Sequence, residues 1–331
     1  MTGSPTLRYL SAPDVAAAMP GIEERLALAR TTLEALGRTA EMPAKTGVHP
    51  RQPGSLAHAM PALLSGRSES GEQDLIGMKW IAGFPANSGI GLPAYHALVI
   101  LNDGRTGRPT AVLHGGTITA ARTAAVSGVA IELFAPKPTG RPARVALLGA
   151  GAQARGHLPL IGSMLSGAAV SIADVDAARV ESLAAEAATT EGIGETRRAS
   201  SVGEAVECAD VVVSVVSFGP DHQALDADRL GPETLMVAVD YDMQASAALA
   251  HEALFVVDER EQFLATRAAG GFFAGYPDPA GTLGDALRGD LRRPRGRILV
   301  SHLGVGLADV VFASAVLKRA EQLGLGRLLP E

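Results

Sequence analysis

The chain has a single cysteine, Cys208, among its 331 residues, and aromatic residues make up only 4% of the sequence. One cysteine excludes an intrachain disulfide and any cysteine-based metal cluster, so we expect no bound metal. Cys208 stands just before an apolar run and is interpreted as a small packing residue. The net charge is −6 and no long basic run occurs, which argues against nucleic-acid binding.

The sequence also lacks long apolar runs and a targeting segment. No uninterrupted apolar stretch reaches the roughly 18 residues that a membrane span needs. The first residues do not show a basic region followed by an apolar core, which is the pattern of a signal peptide. We therefore expect a cytoplasmic protein without a membrane partner. With 331 residues, of which 47% are hydrophobic, two globular domains are expected.

The most informative stretch is a glycine turn between two apolar runs, residues 145–148 and 168–173. The turn contains Gly149 and Gly151, and the second run ends at Asp174. Strand, glycine turn, helix, strand and acid is the order that holds a dinucleotide pyrophosphate at a helix N-terminus. Gly149 permits the turn, Gly151 lets the backbone approach the phosphates, and Asp174 meets a ribose hydroxyl. An ordinary strand–turn–helix that binds no ligand is the alternative.

Further apolar runs follow at intervals, each separated from the next by a helical segment. Repeated strand–helix units of this kind build an open parallel sheet, as in a Rossmann domain. Ligands of such sheets bind at the carboxyl ends of the strands. Polar side chains fall at several of these ends, namely Asp174, Ser217, Asp242 and Asp258.

The part of the chain before this stretch has a different pattern. Three apolar segments, residues 75–82, 94–101 and 109–114, are joined by short turns and predict an antiparallel meander. The C-terminal helix, residues 307–323, is expected to return to this region. The predicted fold class is therefore α/β, with a Rossmann parallel-sheet domain and an α+β antiparallel-strand domain for dimerisation and substrate. We place the second domain at residues 1–118 with 303–331, and the dinucleotide-binding domain at residues 119–302.

Several cations occupy unusual positions. Lys79 lies inside an apolar strand, which requires exposure to water or a partner. Arg122 lies early in a helix over residues 117–134, where the helix dipole normally prefers acids. Either it has a functional role or it is an exposed side chain without one. Residues 41–64, with Lys45 among them, look like loop with short extended pieces. They form either a polar surface or a cationic rim for an anionic substrate.

The motifs of the chain resemble the ornithine cyclodeaminase/μ-crystallin family. The resemblance runs through KWIAGFPAN, ITAARTAA, LLGAGAQA, MVAVDYD and SHLGVGLAD, in that order along the chain. It implies a homodimer with a Rossmann domain, and a second domain whose antiparallel strands pair across the dimer. Members include ornithine and lysine cyclodeaminases, alanine dehydrogenases, ketimine reductases and opine-type dehydrogenases. They move a hydride between a nicotinamide and the carbon of an amino or imino acid.

The resemblance also implies roles for particular residues. Arg122 and Lys79 hold the substrate carboxylate, and Asp242 is the catalytic acid, with Lys79 beside it in the catalytic set. The first substrate arginine of the family has no clear match, and spacing favours Lys45, with Arg51 second. The other implied substrate contacts are Met60 and Leu303. The implied cofactor contacts are Arg122, Thr123, Gly149, Gly151, Ala152, Gln153, Asp174, Val216, Ser217 and Val239.

Some positions depart from the family pattern. Ser246 stands where cyclodeaminases carry a lysine, and Asp240 stands where they have a glycine. Ala94 and Val216 replace hydroxyl residues that touch cofactor. These changes leave the hydride-transfer residues in place and argue against ornithine-specific chemistry.

The predicted function is an NAD(P)-dependent oxidoreductase acting on the C–N bond of a small amino or imino acid. A cyclodeaminase, which releases ammonia without net redox change, is the first alternative. A dinucleotide-binding protein without turnover is the second. Asp174 favours NAD over NADP by repelling a 2′-phosphate. Arg179, five residues further on, softens that preference and keeps NADP possible.

Overall fold

The computed structural model describes residues 6–66 and 73–330. The chain divides into two compact units. Unit 1 is Met1–Arg122 with Val305–Glu331, and unit 2 is Thr123–Gly304. The boundaries placed from the sequence, after residues 118 and 302, lie a few residues before these two points.

Unit 1 begins with two short helices and a series of strands. Ser11 is the N-cap of the first helix and forms a capping box with Asp14. The elements up to the boundary are, in chain order, β1 Thr6–Leu10, α1 Ala12–Ala17, α2 Ile22–Ala35, β2 Ala40–Glu41, β3 Thr46–Val48, β4 Leu56–Leu64, β5 Leu75–Gly83, β6 Tyr95–Asp103, β7 Pro109–His114 and α3 Gly115–Phe134, which continues into unit 2.

Unit 2 alternates strands and helices. Its elements after α3 are β8 Arg144–Leu148, α4 Ala152–Met164, β9 Ala168–Ala173, α5 Ala177–Ala187, β10 Ile193–Arg198, α6 Val202–Val206, β11 Val211–Ser214, β12 Leu235–Ala238, α7 Ala247–Glu252, β13 Leu254–Val257, α8 Arg260–Ala269, β14 Gly281–Thr282, α9 Leu283–Arg288 and β15 Ile298–Ser301. The chain then returns to unit 1 with α10 Gly306–Gln322 and β16 Arg327–Pro330.

The sheet of unit 1 is mixed, with the order β16-β1-β7-β6-β5-β4-β2, and β3 pairs with β4. The predicted antiparallel meander is confirmed for β5, β6 and β7. It is longer than expected, because β4 is a fourth strand of nine residues in a segment interpreted as mostly loop. Alternate residues of β5, including Gly77 and Lys79, are buried on the face that packs against α10. The predicted return of the C-terminal helix is thus confirmed.

The sheet of unit 2 is parallel throughout, with the order β10-β9-β8-β11-β12-β15-β13-β14. Counted from β8, the first five strands follow the order 3-2-1-4-5 of a Rossmann sheet, which confirms the predicted fold class. The order reverses between β8 and β11, so the glycine turn after β8 lies next to the end of β11. This is the position at which such sheets bind ligands.

Four elements of unit 2, namely β10, α8, β14 and α9, were not predicted from the sequence, and β10 and α8 show why. The edge strand β10 has the sequence IGETRR and is mostly exposed, so it lacks the apolar alternation that marks a half-buried strand. The helix α8 has the sequence REQFLATRAA, with only two buried residues, Gln262 and Phe263. Both elements are held by tertiary pairing and packing rather than by a strong local pattern.

The helix α3 is long and apolar enough to cross a membrane by length and composition. The search of the sequence for uninterrupted apolar runs did not single it out. In the structure, 72% of its most apolar window is buried inside the protein. This degree of burial is what a core helix shows.

Candidate active site

The glycine turn after β8 depends on the first of its two glycines. Gly149 has φ of +96°, and a Cβ at this position would lie 2.8 Å from the carbonyl oxygen of Val215. Its N–H donates to the carbonyl of Ala173 at 2.7 Å, which ties the turn to the end of β9. Both the dihedral angle and the close approach exclude any other residue type here.

Gly151 has a different role in the same turn. It is the N-cap of α4, with φ of −88°, so its backbone is open to any L-residue. No described atom lies within 4 Å of the place that a Cβ would occupy. Within the described part of the chain, no side chain caps the first N–H groups of α4. The turn therefore presents open space beside uncapped N–H groups, and this arrangement suits a phosphate.

Asp174, at the end of β9, is bonded to the turn itself. One carboxylate oxygen accepts from the N–H of Ala150 at 2.7 Å, and the other accepts from the N–H of Asp176 at 2.9 Å. These bonds fix the carboxylate beside the turn, so it can support the turn as well as contact a ribose. Arg179 forms an exposed ion pair with Asp176 at 3.2 Å.

A buried hydrogen-bond chain holds the start of α4. His157 Nδ1 donates to the carbonyl of Gln153 at 2.7 Å, and burial lowers the pKa of His157 to about 4, so this imidazole is neutral. Its Nε2 must then accept from the hydroxyl of Ser127 at 2.8 Å. The same oxygen accepts from His302 Nε2 at 2.9 Å. The chain links α3, α4 and the end of β15 within unit 2.

The remaining predicted cofactor contacts of unit 2 fall in four places. Ala152 and Gln153 lie in the first turn of α4, and Thr123 is buried in α3. Val216 and Ser217 follow the end of β11, and Val239 follows the end of β12. The glycine turn that leads into α4 meets the segment after β11 where Gly149 approaches Val215.

Asp240 and Asp242 follow β12 and differ in their surroundings. Burial raises the pKa of Asp240 to about 7, opposed by the hydrogen bond that the Ser214 hydroxyl donates to it. Asp242 is buried, and its carboxylate accepts three hydrogen bonds, two from side chains and one from the backbone. Its Oδ1 accepts from His222 Nδ1 at 2.9 Å, and its Oδ2 accepts from the N–H of Phe273 at 2.7 Å and from Gln223 Nε2 at 3.5 Å. These bonds hold the carboxylate in one orientation.

Two of the predicted substrate cations of unit 1, Lys79 and Arg122, share one carboxylate. Lys79 Nζ lies 2.7 Å from Asp309 Oδ2, and Arg122 Nε lies 3.1 Å from Asp309 Oδ1. All three side chains are buried, so Arg122 is not the exposed arginine that the sequence left open. Lys79 Nζ also donates to the hydroxyl of Thr119 at 3.4 Å. Sequence analysis did not select Asp309, although an acid early in an apolar helix was a signal for it.

The buried group formed by Lys79, Arg122 and Asp309 has more positive than negative charge when Lys79 is protonated. Burial lowers the pKa of Lys79 to about 7, and the charge of Arg122 adds to this effect while Asp309 opposes it. Lys45 lies close enough to lower the pKa of Lys79 further. Burial and then the charge of Lys45 also lower the pKa of His58. A protonated Lys79 therefore leaves one positive charge that an anion can neutralise.

The other predicted substrate contacts lie in different places. Met60 is buried in β4, where it pairs with Lys79 of β5. Leu303 is buried after β15, in unit 2. Within residues 6–66 and 73–330, no group of three or more histidine, cysteine or acidic side chains is arranged to hold a metal ion.

The charge balance of unit 1 can be tested with Asp309→Asn. The substitution leaves Lys79 and Arg122 buried without their shared anion, and we expect the free energy of unfolding to fall by about 3 kcal/mol or more. Urea denaturation at pH 7 measures the change. Asp278→Asn is the control, because Asp278 pairs with Arg267 on the surface and its loss should cost about 1 kcal/mol or less. Equal losses in the two variants would contradict this account.

Comparison with known proteins agrees with the family resemblance of the sequence motifs. The profile of the ornithine cyclodeaminase/mu-crystallin family matches residues 13–323. The nodulation efficiency protein NfeD of Rhizobium meliloti is 30% identical over 328 residues, which cover 98% of each chain. The ketimine reductase mu-crystallin of Mus musculus is 29% identical over 252 residues, which cover 75% of this chain and 77% of that protein.

Solved structures show the same fold. The structure of Δ1-pyrroline-2-carboxylate reductase from Thermococcus litoralis, in complex with NADH and L-proline, superposes with a TM-score of 0.81 at 23% identity. The superposition covers 97% of this chain and 99% of that one. The resemblance identified from the sequence motifs is therefore confirmed, and the chain belongs to the ornithine cyclodeaminase/mu-crystallin family.

Proposed function

We propose that the protein is an NAD(P)-dependent oxidoreductase that acts on the C–N bond of a small amino or imino acid. The observation that carries the proposal is the buried group of Lys79, Arg122 and Asp309, with its surplus of positive charge. A carboxylate neutralises that charge, and a guanidinium and an ammonium are suited to bind it. Lys45 adds a further cation near Lys79. Amino and imino acids carry such a carboxylate beside the reacting carbon.

The cofactor fits the glycine turn of unit 2. The open space beside Gly151 and the uncapped N–H groups of α4 suit its phosphates, and Asp174, held beside the turn by the N–H of Ala150, is proposed to receive a ribose hydroxyl. When bound, the nicotinamide supplies or accepts the hydride. The carboxylate of Asp174 would repel a 2′-phosphate, so we propose NAD as the preferred cofactor and NADP as a weaker one.

Asp242 is proposed to take part in the proton transfer to or from the substrate nitrogen. Its carboxylate is oriented by His222, Gln223 and the N–H of Phe273. An oriented carboxylate at the end of a central strand is a suitable partner for a proton donor or acceptor.

The cyclodeaminase alternative is weaker. The family position that carries a lysine in cyclodeaminases is Ser246 here, and its hydroxyl caps α7 by accepting from the N–H of Leu249 at 3.1 Å. A capping hydroxyl cannot supply the charge of an amine. A protein that binds dinucleotide without turnover is also less favoured, because buried cations are costly and serve no purpose without an anionic ligand.

The proposal is tested by following NADH absorbance with a panel of substrates. The purified protein is mixed with NADH or NADPH and with 2-oxo acids plus amines, or with cyclic imino acids. We expect the cofactor to be consumed in a one-to-one ratio with at least one carboxylate-bearing imine. Release of ammonia from ornithine or lysine without net change in NADH would instead support the cyclodeaminase. Loss of activity with imines that lack the carboxylate checks the role of the cationic group.

Gly151→Ala tests the cofactor site apart from the fold. The new methyl group meets no described atom, so the melting temperature should change by less than about 2 °C. It occupies the open space beside α4, so the dissociation constant of NADH should rise about tenfold or more. Gly203→Ala, whose Cβ would meet only the Ser201 hydroxyl at 3.9 Å, should leave both quantities unchanged. Unchanged NADH binding in Gly151→Ala would show that the phosphates lie elsewhere.

We also propose that the protein is a homodimer that works in the cytoplasm. The face of the unit 1 sheet opposite α10 is apolar and partly exposed, with Trp80 and Leu98 paired across β5 and β6 and each 41% exposed. Such a patch marks an interaction surface. The other apolar residues of this face are Ile76, Met78, Ile100 and Val112. The free Cys208 suits a reducing compartment.

Sedimentation velocity tests the dimer. Trp80→Glu places a charge at the centre of the apolar face, and we expect the protein to shift from dimer to monomer at micromolar concentration. Leu323→Glu puts the same charge on an exposed apolar residue at the end of α10 and should leave the dimer intact. A wild-type protein that sediments as a monomer would exclude the proposed interface.

A further inference from the structure

We infer that His222 exchanges the proton with the substrate nitrogen, and that Asp242 acts as its positioning residue. The inference rests on the proposed function, because it assigns the proton of that same reaction. Sequence analysis did not select His222, which lies in the segment between β11 and β12.

Asp242 is nearly inaccessible to a substrate. Its side chain is 2% exposed, and both carboxylate oxygens already accept hydrogen bonds from protein groups. The bond from the N–H of Phe273 is fixed by the backbone. With so little of its side chain exposed, the carboxylate offers almost no surface that a substrate nitrogen could reach. Asp242 is therefore placed to support another group rather than to meet the substrate.

His222, by contrast, is partly exposed. Its side chain is 29% exposed, and its Nδ1 is the ring nitrogen that faces Asp242. Because a carboxylate accepts, Nδ1 carries the proton, and Nε2 is the nitrogen that gains or loses one. In the described part of the chain, Nε2 has no hydrogen-bond partner. The histidine thus presents one reactive nitrogen outward and is held at the other, as in the pairing of a catalytic base with an orienting acid.

The segment that carries His222 is held by several contacts. The N–H of Gln223 donates to the carbonyl of Asp242 at 2.8 Å, and Gln223 Nε2 donates to the carbonyl of Ala274 at 2.9 Å. The ring of Phe272 lies 5.5 Å from the imidazole, centroid to centroid, and also packs against Tyr241. These contacts hold the imidazole in place. Val216 and Ser217, two of the proposed cofactor contacts, belong to the same segment.

In the direction of reduction, a bound nicotinamide would supply a hydride, with its two electrons, to the imine carbon. The π pair of the C=N bond becomes the lone pair of nitrogen, and that lone pair takes the proton from Nε2 of the imidazolium. His222 becomes neutral and regains a proton from water, which its exposure allows. In the oxidative direction, neutral Nε2 takes the proton from the amine.

The test uses the full-length protein with a substrate from the imine panel. Variants are His222→Ala, His222→Gln and Asp242→Asn. His251→Ala is the matched control, because His251 is a surface histidine of unit 2 bonded to the carbonyl of Gly275. We expect both His222 variants to lose about a hundredfold or more in kcat, with small changes in KM and in NADH affinity. Added imidazole should restore part of the activity of His222→Ala in a saturable way.

Asp242→Asn is expected to lower kcat without rescue by imidazole, since its own imidazole is still present. It should also change the pH profile of kcat, which a purely structural role would leave unaltered. His251→Ala should behave as wild type. Full activity in His222→Ala and His222→Gln, or no response of His222→Ala to imidazole, would overturn the assignment while wild-type turnover upheld the proposed function. A wild-type protein that binds NADH but reduces no imine would overturn both.

Discussion

The carboxylate of Asp309 is the constraint on which unit 1 depends. A lysine and an arginine inside an apolar sheet-and-helix core are costly unless a buried anion accompanies them. Asp309 meets both cations through its two oxygens, at 2.7 Å and 3.1 Å. When Lys79 is protonated, one anion cannot neutralise two cations, and the core then carries one positive charge. The same arrangement that permits burial therefore creates an affinity for a carboxylate.

Unit 2 meets a different constraint with backbone groups. The sheet order brings the end of β8 beside the end of β11, and Gly149 is the residue that allows the two segments to touch. The N–H groups at the start of α4 stay uncapped, while Asp174 takes the N–H of Ala150. Protein groups thus hold the turn through the N–H groups of Gly149 and Ala150. The N–H groups at the start of α4 are left open for a ligand.

Much of this architecture could be predicted from the sequence, because local patterns carry it. Each of its main parts has a local signal in the sequence. The strands show apolar runs, and the glycine turn and the turns of the meander show characteristic turn residues. Lys79 and Arg122 attracted notice because each breaks a local rule. Their partner Asp309 did not, since it lies almost two hundred residues from Arg122 and only the fold brings it near.

His222 and β10 escaped prediction for the same reason. A histidine in a polar segment has no distinguishing pattern, and its role depends on meeting Asp242 across the carboxyl edge of the sheet. The strand β10 pairs with β9 at an edge of the sheet, where polar residues are as suitable as apolar ones. The position of His222 and the formation of β10 both depend on hydrogen bonds to residues distant in the sequence. Such bonds cannot be recognised from a short stretch of one sequence.

The hydrogen-bond chain through Ser127 also has a consequence for acid tolerance. The hydroxyl of Ser127 has one proton, so it can donate to only one of its two histidines, and the order of donors is fixed along the whole chain. His157 stays neutral in the folded protein down to about pH 4, whereas in the unfolded chain it takes up a proton below about pH 6.5. The unfolded state binds more protons between these values, so stability falls as the pH falls through this range. The residue that anchors the helix of the proposed cofactor site thus makes unit 2 less stable as the medium becomes more acidic.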